Sequence, residues 1–171
     1  MKELYSTAAI ANSFLRLAFA SNKSITPMKI QKLVYLAQGY SLVMRDSSLI
    51  DELFEAWRFG PVLPSIYHTC KKYGNKPISD YIKEEGYDSS SIRRTIPILK
   101  DPQVAEIINF VWESYGSTDA LELSNWTHEK KGPWDVVIEQ KGGRFKNQTI
   151  DNELIKNYFR DRMVDDEFQK A

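Results

Sequence analysis

Apolar residues recur at helical spacing along most of the chain, and this pattern predicts helices separated by short turns. The first predicted helix lies between Tyr5 and Ser21, where apolar residues cover so wide an arc that the helix should be buried on most sides. The second begins at Thr26-Pro27, which is an N-cap followed by proline at the first helical position, and continues to Met44. These stretches predict the first two helices of the fold.

The middle of the chain departs from the helical pattern. Residues 49–59 predict an extended segment, either a short strand or one arm of a hairpin, which a turn at Gly60-Pro61 ends. Pro64 then opens a short helix, and Gly74 lies where a left-handed C-terminal cap belongs. Residues 75–98 show no regular period and predict a long loop or insertion with at most one brief helical turn.

The helical period returns in the carboxyl-terminal part of the chain. Asp101-Pro102 predicts the start of a helix that ends at Gly116, and Ser117 or Thr118 is the predicted cap of the next one. Pro133 opens a short helix, Asp151 caps the last, and residues 164–171 are predicted to be a frayed tail. The whole pattern predicts a mainly α fold. We expect residues 1–171 to form a compact single-domain bundle of about six or seven helices, with at most a short β element near residues 49–59.

Composition narrows the class of partner and the compartment. Of 171 residues, 23 are Lys or Arg and 23 are Asp or Glu, so the formal net charge is zero. Nucleic-acid binders usually concentrate positive charge, so protein is the favoured partner and nucleic acid ranks below it. The lone cysteine, Cys70, excludes an internal disulfide. No apolar run suits a signal peptide or a membrane span, which predicts a cytoplasmic protein that does not contact a membrane.

The residue types that support catalysis are scarce. His68 and Cys70 stand two positions apart on a predicted helix, which points their side chains away from each other. One cysteine and two separated histidines do not make a zinc signature, and the glycines fit no phosphate-binding loop. We therefore predict that the protein is not an enzyme and has no catalytic residues, no metal and no cofactor.

Two aromatic segments stand out as candidate binding elements: residues 55–62 (EAWRFGPV) and residues 127–134 (THEKKGPW). Each places a tryptophan near a Gly-Pro pair and a charged residue. The tryptophans could fill the core while the Gly-Pro pairs make corners, or both segments could share a surface patch, since Trp, Tyr and Arg anchor protein interfaces. The candidate partner-binding residues are Trp57, Arg58, Phe59, Tyr67, His128 and Trp134. The loop at 75–98 is a second candidate surface, because partner-specific contacts commonly lie on loops.

Five segments resemble a known family in the same order along the chain. Residues 29–40 (KIQKLVYLAQGY) resemble the second-helix signature of the Panacea domain, the SocA-like antitoxin family, also described as phage-associated GepA-like proteins. Residues 55–62 resemble its EAW-x-[YF]-GPV segment and residues 67–74 its Y-x-x-x-KKYG helix. The segment ALELS…TH…GPW at 120–134 and the closing helix at 152–159 complete the match.

The resemblance implies a compact, mostly helical antitoxin that neutralises, by direct protein contact, a toxin encoded by an adjacent gene. Some members of the family instead act as adaptors that deliver the toxin to a protease, and the family brings no established catalytic residues. A nucleic-acid-binding transcriptional regulator is a further alternative. Its basic patch would consist of Arg93, Arg94, Lys130, Lys131, Lys141 and Arg144. The DNA-binding segment that many members carry is not visible in this sequence.

Overall fold

The computed structural model describes residues 4–88, 91–145 and 147–170, and within them all side chains except those of residues 87–88 and 164–170. The described residues form seven α-helices: α1 (Thr7–Ala20), α2 (Pro27–Met44), α3 (Pro64–Cys70), α4 (Pro102–Tyr115), α5 (Ala120–Thr127), α6 (Pro133–Gln140) and α7 (Asn152–Lys170). A 3-10 turn at Lys71–Tyr73 extends α3. In this part of the chain, no helix has the length and apolar character that crossing a membrane requires. The predicted mainly α fold is confirmed.

Local capping signals set several helix starts. The Thr26 hydroxyl accepts a hydrogen bond from the backbone N–H of Lys29 at 3.3 Å, and Asp101 caps α4 in the same way. The cap of α5 was predicted wrongly: it is Asp119, whose carboxylate accepts from the N–H of Leu121 at 2.8 Å. Thr118 instead donates its N–H to a carbonyl of α4 and so belongs to the turn that ends that helix.

The carboxyl-terminal helix begins where the sequence places it. The Asp151 carboxylate accepts from the N–H of Glu153 at 2.8 Å, and the backbone is helical to Lys170. The tail predicted to fray from residue 164 onwards is helical along its backbone, while its side chains and Ala171 lie outside the described residues.

A short antiparallel hairpin occupies the predicted β region. Strand β1 (Glu55–Trp57) pairs with β2 (Gly60–Val62). The sequence placed the turn at Gly60-Pro61, and this is wrong: both residues belong to β2, and the turn consists of Arg58 and Phe59. The reason is the backbone of Gly60, whose φ of +100° suits glycine and lets the strand begin immediately after the turn.

A second hairpin, β3 (Glu84–Asp88) with β4 (Ser91–Thr95), lies in the segment predicted to be a loop or insertion. The expectation of at most one β element, near residues 49–59, is corrected by this hairpin. All five residues of β4 are exposed, so the strand has no buried face and shows no apolar alternation in the sequence. Residues 89 and 90 lie outside the described residues.

Helix α2 is the centre of the core. It packs against α1, α3, α4, α5, α7 and β2, and residues 29–42 are all buried. The Tyr35 ring makes edge contacts with the rings of Phe54, Trp126 and Phe159, at centroid distances of 5.1 to 6.3 Å. Because water is excluded from this helix, its polar side chains must find hydrogen-bond partners within the protein.

The α2–α7 packing yields a stability prediction at Gly39. Alanine normally stabilises a helix interior relative to glycine by roughly 1 kcal/mol. Here a Cβ would overlap the ring of Phe159, so we expect Gly39→Ala to lower the free energy of unfolding by about 1–3 kcal/mol. Urea denaturation followed by circular dichroism measures the change.

The matched control is Gly86→Ala on β3, where an added Cβ would lie 3.8 Å from the nearest atom, the carbonyl oxygen of Arg93. We expect its free energy of unfolding to change by less than about 0.5 kcal/mol. A Gly39→Ala protein at least as stable as the original would contradict the close packing of α2 on Phe159.

Candidate partner-binding site

The β1–β2 turn is held from behind by side chains of distant helices. The Lys32 ammonium, on α2, donates to the carbonyl oxygens of Phe59 at 2.8 Å and of Pro61 at 3.2 Å. The Ser124 hydroxyl, on α5, donates to the same Phe59 carbonyl at 3.2 Å. Three hydrogen bonds therefore fix the inner edge of the turn to α2 and α5.

Two aromatic side chains hold the other side of the turn. Trp134, on α6, donates its indole N–H to the carbonyl oxygen of Trp57 at 2.7 Å. The His128 ring lies with Nε2 3.2 Å from the carbonyl oxygen of Arg58 and Nδ1 2.6 Å from that of Ser124. The imidazole also packs on the Trp134 indole, with centroids 4.2 Å apart. Every backbone carbonyl from residue 57 to residue 59 thus faces a side-chain donor or ring nitrogen from behind.

Gly60 has no side chain, and this allows Lys32 to approach the backbone of the turn closely. A Cβ at this position would lie 2.5 Å from Lys32 Nζ and 2.6 Å from the Thr127 hydroxyl oxygen. Lys32 is only 1% exposed, and burial lowers its pKa from 10.5 to about 7. Since a neutral amine also donates N–H groups, the carbonyls keep their partners whether or not the lysine is charged.

The strand after the turn is fixed by an amide pair. Gln31 donates its side-chain N–H to the carbonyl oxygen of Leu63 at 3.1 Å and accepts from the N–H of Leu63 at 2.9 Å. Both residues are buried, so the pair satisfies the backbone of Leu63 where water cannot. The hairpin is therefore anchored to α2 at its turn and at its exit.

In front of the turn lies a mainly apolar cavity of about 620 Å³, which we call the Phe59 groove. Its lining comes from the start of α2, the β1–β2 hairpin, α3 and the segment after α6. The lining residues are Pro27, Met28, Gln31, Lys32, Trp57, Arg58, Phe59, Val62, Ile66, Tyr67, Gly74 and Phe145. These lining residues include two basic ones, Lys32 and Arg58, and no carboxylate.

The six residues singled out from the sequence all lie in or next to this hairpin, and they fall into two groups. Trp57, Arg58, Phe59 and Tyr67 line the groove, and the Trp57 and Tyr67 rings meet edge to face at 4.8 Å. His128 and Trp134 lie behind the turn and contact its backbone, as described above. Trp134 also stacks on Phe145 of the groove lining, with centroids 6.1 Å apart.

Other residues of the site were missed in the sequence. Lys32 and Ser124 fall inside motif segments, yet their contact with the turn spans 27 and 65 positions along the chain. Met28 and Phe145 give no local signal of lining a groove. The sequence shows Gln31 and Lys32 in a helix, but that these polar groups are buried and therefore need partners within the protein is evident only from the structure.

The second candidate surface, residues 75–98, carries exposed apolar side chains. Ile92, Ile96 and Ile98 are exposed, and the last two line a cavity of about 240 Å³ together with Tyr81. This cavity lies between the hairpin segment and α1, away from the residues of the Phe59 groove.

Within residues 4–88, 91–145 and 147–170, no group of three or more His, Cys, Asp or Glu side chains is arranged to hold a metal ion. Both ring nitrogens of His128 face backbone carbonyl oxygens. The imidazole thus positions the turn.

Together, these features define a small helical domain that displays an aromatic and basic turn, hydrogen-bonded to the core, beside an apolar groove. The family described as "Antitoxin SocA-like, Panacea domain" matches residues 30–135, which include the hairpin and all six candidate residues. The chain belongs to this family.

A curated relative supports the same assignment over a longer stretch. Antitoxin SocA of Caulobacter vibrioides (strain NA1000 / CB15N) is 34% identical over 158 residues, which cover 91% of this chain and 83% of that protein. No solved structure matches the chain.

The buried lysine yields a pH prediction. Between about pH 7 and 10.5 the unfolded chain keeps the proton on Lys32 while the folded protein has lost it. The unfolded state then binds more protons, so this residue makes the free energy of unfolding rise with pH over that interval, by up to about 1.4 kcal/mol per pH unit. Lys32→Met removes the titrating group and should remove this rise.

The measurement is urea denaturation of both proteins at several pH values from 6 to about 10. Comparing the two proteins cancels groups that titrate equally in both. Curves that stay parallel across this range would contradict a buried lysine that loses its proton near neutral pH.

Proposed function

We propose that this antitoxin-family protein neutralises a toxin encoded by an adjacent gene, by binding it directly in the cytoplasm and without catalysis. The braced turn that presents Arg58 and Phe59 beside the Phe59 groove is the observation that carries the proposal. The contact surface consists of Trp57, Arg58, Phe59 and Tyr67, with His128 and Trp134 holding the turn in place.

The exposure of Phe59 supports a contact role. The side chain is 64% exposed although it is large and apolar, and the Arg58 guanidinium lies 5.7 Å from its ring centroid. Aromatic residues and arginine dominate the energetics of protein interfaces. Phe59 adjoins the other apolar residues that line the groove, and a continuous exposed apolar surface of this kind favours a binding role.

Charge pairing favours a protein partner over nucleic acid. Arg94, which the regulator alternative would need, lies 3.5 Å from Glu85, and Lys130 lies 3.7 Å from Asp135. Carboxylates inside a basic patch reduce the phosphate attraction on which nucleic-acid binding depends. The basic patch is therefore less suited than the Phe59 groove to be the binding surface.

The test is co-expression with the product of the adjacent gene. That product alone should stop growth, and this protein should restore growth and elute with it as a stable complex. Growth restored with loss of the toxin and no complex would support delivery to a protease instead. No restoration of growth would overturn the proposal.

A substitution at the turn tests which surface neutralises. Phe59→Ser should weaken toxin binding by about tenfold or more, because an aromatic anchor is lost. Its free energy of unfolding should change by less than about 0.5 kcal/mol, since the side chain is exposed. Calorimetric titration of the purified proteins measures the affinity.

Leu121→Ser on α5 is the matched control, because Leu121 is 62% exposed and does not line the groove. Its toxin affinity should stay within about twofold of the original. Equal affinities for the Phe59→Ser and Leu121→Ser proteins would count against the turn as the contact surface.

A further inference from the structure

We infer that the Phe59 groove receives an amphipathic helix of the toxin, with apolar residues in the groove and an acidic side chain paired with Arg58. This inference rests on the proposed direct binding and adds the kind of segment that is recognised. It follows from three features: the strand edges of the hairpin, the charges around the groove and the fixed backbone of its wall.

The strand edges argue against an added strand. The outer edge of β1 is already paired: the N–H of Ala56 donates to the carbonyl of Gln148 at 2.7 Å, and the N–H of Ile150 donates to that of Phe54 at 2.7 Å. On β2, Pro61 has no N–H and Lys32 Nζ bonds its carbonyl. A partner therefore meets side chains in this groove, which is the mode by which an amphipathic helix binds.

The charges around the groove favour a carboxylate on the partner. Arg58 is the charged side chain that the lining offers to a partner, because Lys32 is buried and its Nζ already bonds two carbonyl oxygens of the hairpin. The acidic neighbour on β1, Glu55, is engaged within the protein: it accepts from the Trp57 indole N–H at 2.7 Å and from the N–H of Asn147 at 3.3 Å. An acidic side chain on the partner would be steered towards Arg58 and would meet no carboxylate among the lining residues.

The size and rigidity of the groove suit several apolar side chains of one helix. Its volume of about 620 Å³ lies within the range of preformed binding sites. Met28 on α2 and Tyr67 on α3 both line the groove, and both side chains are exposed. Because Lys32 and Gln31 hold the backbone of the hairpin that contributes to the lining, little ordering of this backbone is required on binding, which favours affinity.

The predicted burial of apolar toxin residues in the groove is tested with two substitutions on α2. Met28→Gln places a polar side chain of similar length in the groove, whereas Met44→Gln makes the same change at the other end of α2, outside the lining. We expect the first to weaken binding of the purified adjacent-gene product by about five- to twentyfold and the second by less than about twofold. Thermal unfolding of each variant confirms that both are folded.

The predicted pairing of Arg58 with an acidic side chain of the toxin is tested by reversing the charge at Arg58 and then restoring the pair from the toxin side. Arg58→Glu should weaken binding by about tenfold or more, while Arg58→Lys keeps most of the affinity. Arg160→Glu, at an exposed position of α7, is the matched control and should leave affinity within about twofold. Synthetic peptides that tile the predicted helices of the toxin identify the binding segment, and replacing its acidic residue by Arg should restore affinity for Arg58→Glu.

The outcomes separate this inference from the proposed function. Binding by one amphipathic acidic peptide, weakened by Met28→Gln and Arg58→Glu but not by their controls, supports the inference. A complex that forms with unchanged affinity in both groove variants overturns the inference and leaves direct neutralisation standing. Absence of any complex overturns both.

Discussion

The bonds between the β1–β2 turn and the side chains behind it are the constraint on which the site depends. Carbonyl oxygens in a tight turn beside a packed core cannot reach water on their inner side, and each would cost free energy if it had no donor. Lys32, Ser124 and Trp134 supply those donors from three different helices. The core therefore determines the position of a surface element, and the turn does not have to be ordered by its partner.

This arrangement explains why polar residues lie inside an otherwise apolar helix. Gln31 and Lys32 on α2 are buried, although lysine is rarely buried in proteins. Both use their side chains to bind backbone atoms of the hairpin, so the polar groups are satisfied without water. The cost of burying Lys32 appears as its lowered pKa, and the gain is a turn whose backbone is held in place where it presents Arg58 and Phe59. Such preorganisation lowers the entropic cost of binding a partner.

The sequence was informative where local chemistry decides structure and less so where distant contacts decide it. Thr26-Pro27 begins α2 as predicted, because capping and proline geometry act within one turn of helix. The Gly60-Pro61 pair was assigned to a turn on local grounds, but hydrogen bonds from Lys32 and pairing with β1 place it in a strand. Likewise, His128 lies 70 positions from Arg58, so no spacing rule could show that it holds the turn.

Photo-cross-linking in the assembled complex tests the central claim most directly, namely that the braced turn is the surface that meets the toxin. A photoreactive phenylalanine analogue would replace Phe59 in one protein and Ile92, which is similarly exposed on β4, in another. The account predicts efficient cross-linking to the toxin from position 59 and little from position 92. An intact complex that cross-links from position 92 and not from position 59 would contradict it.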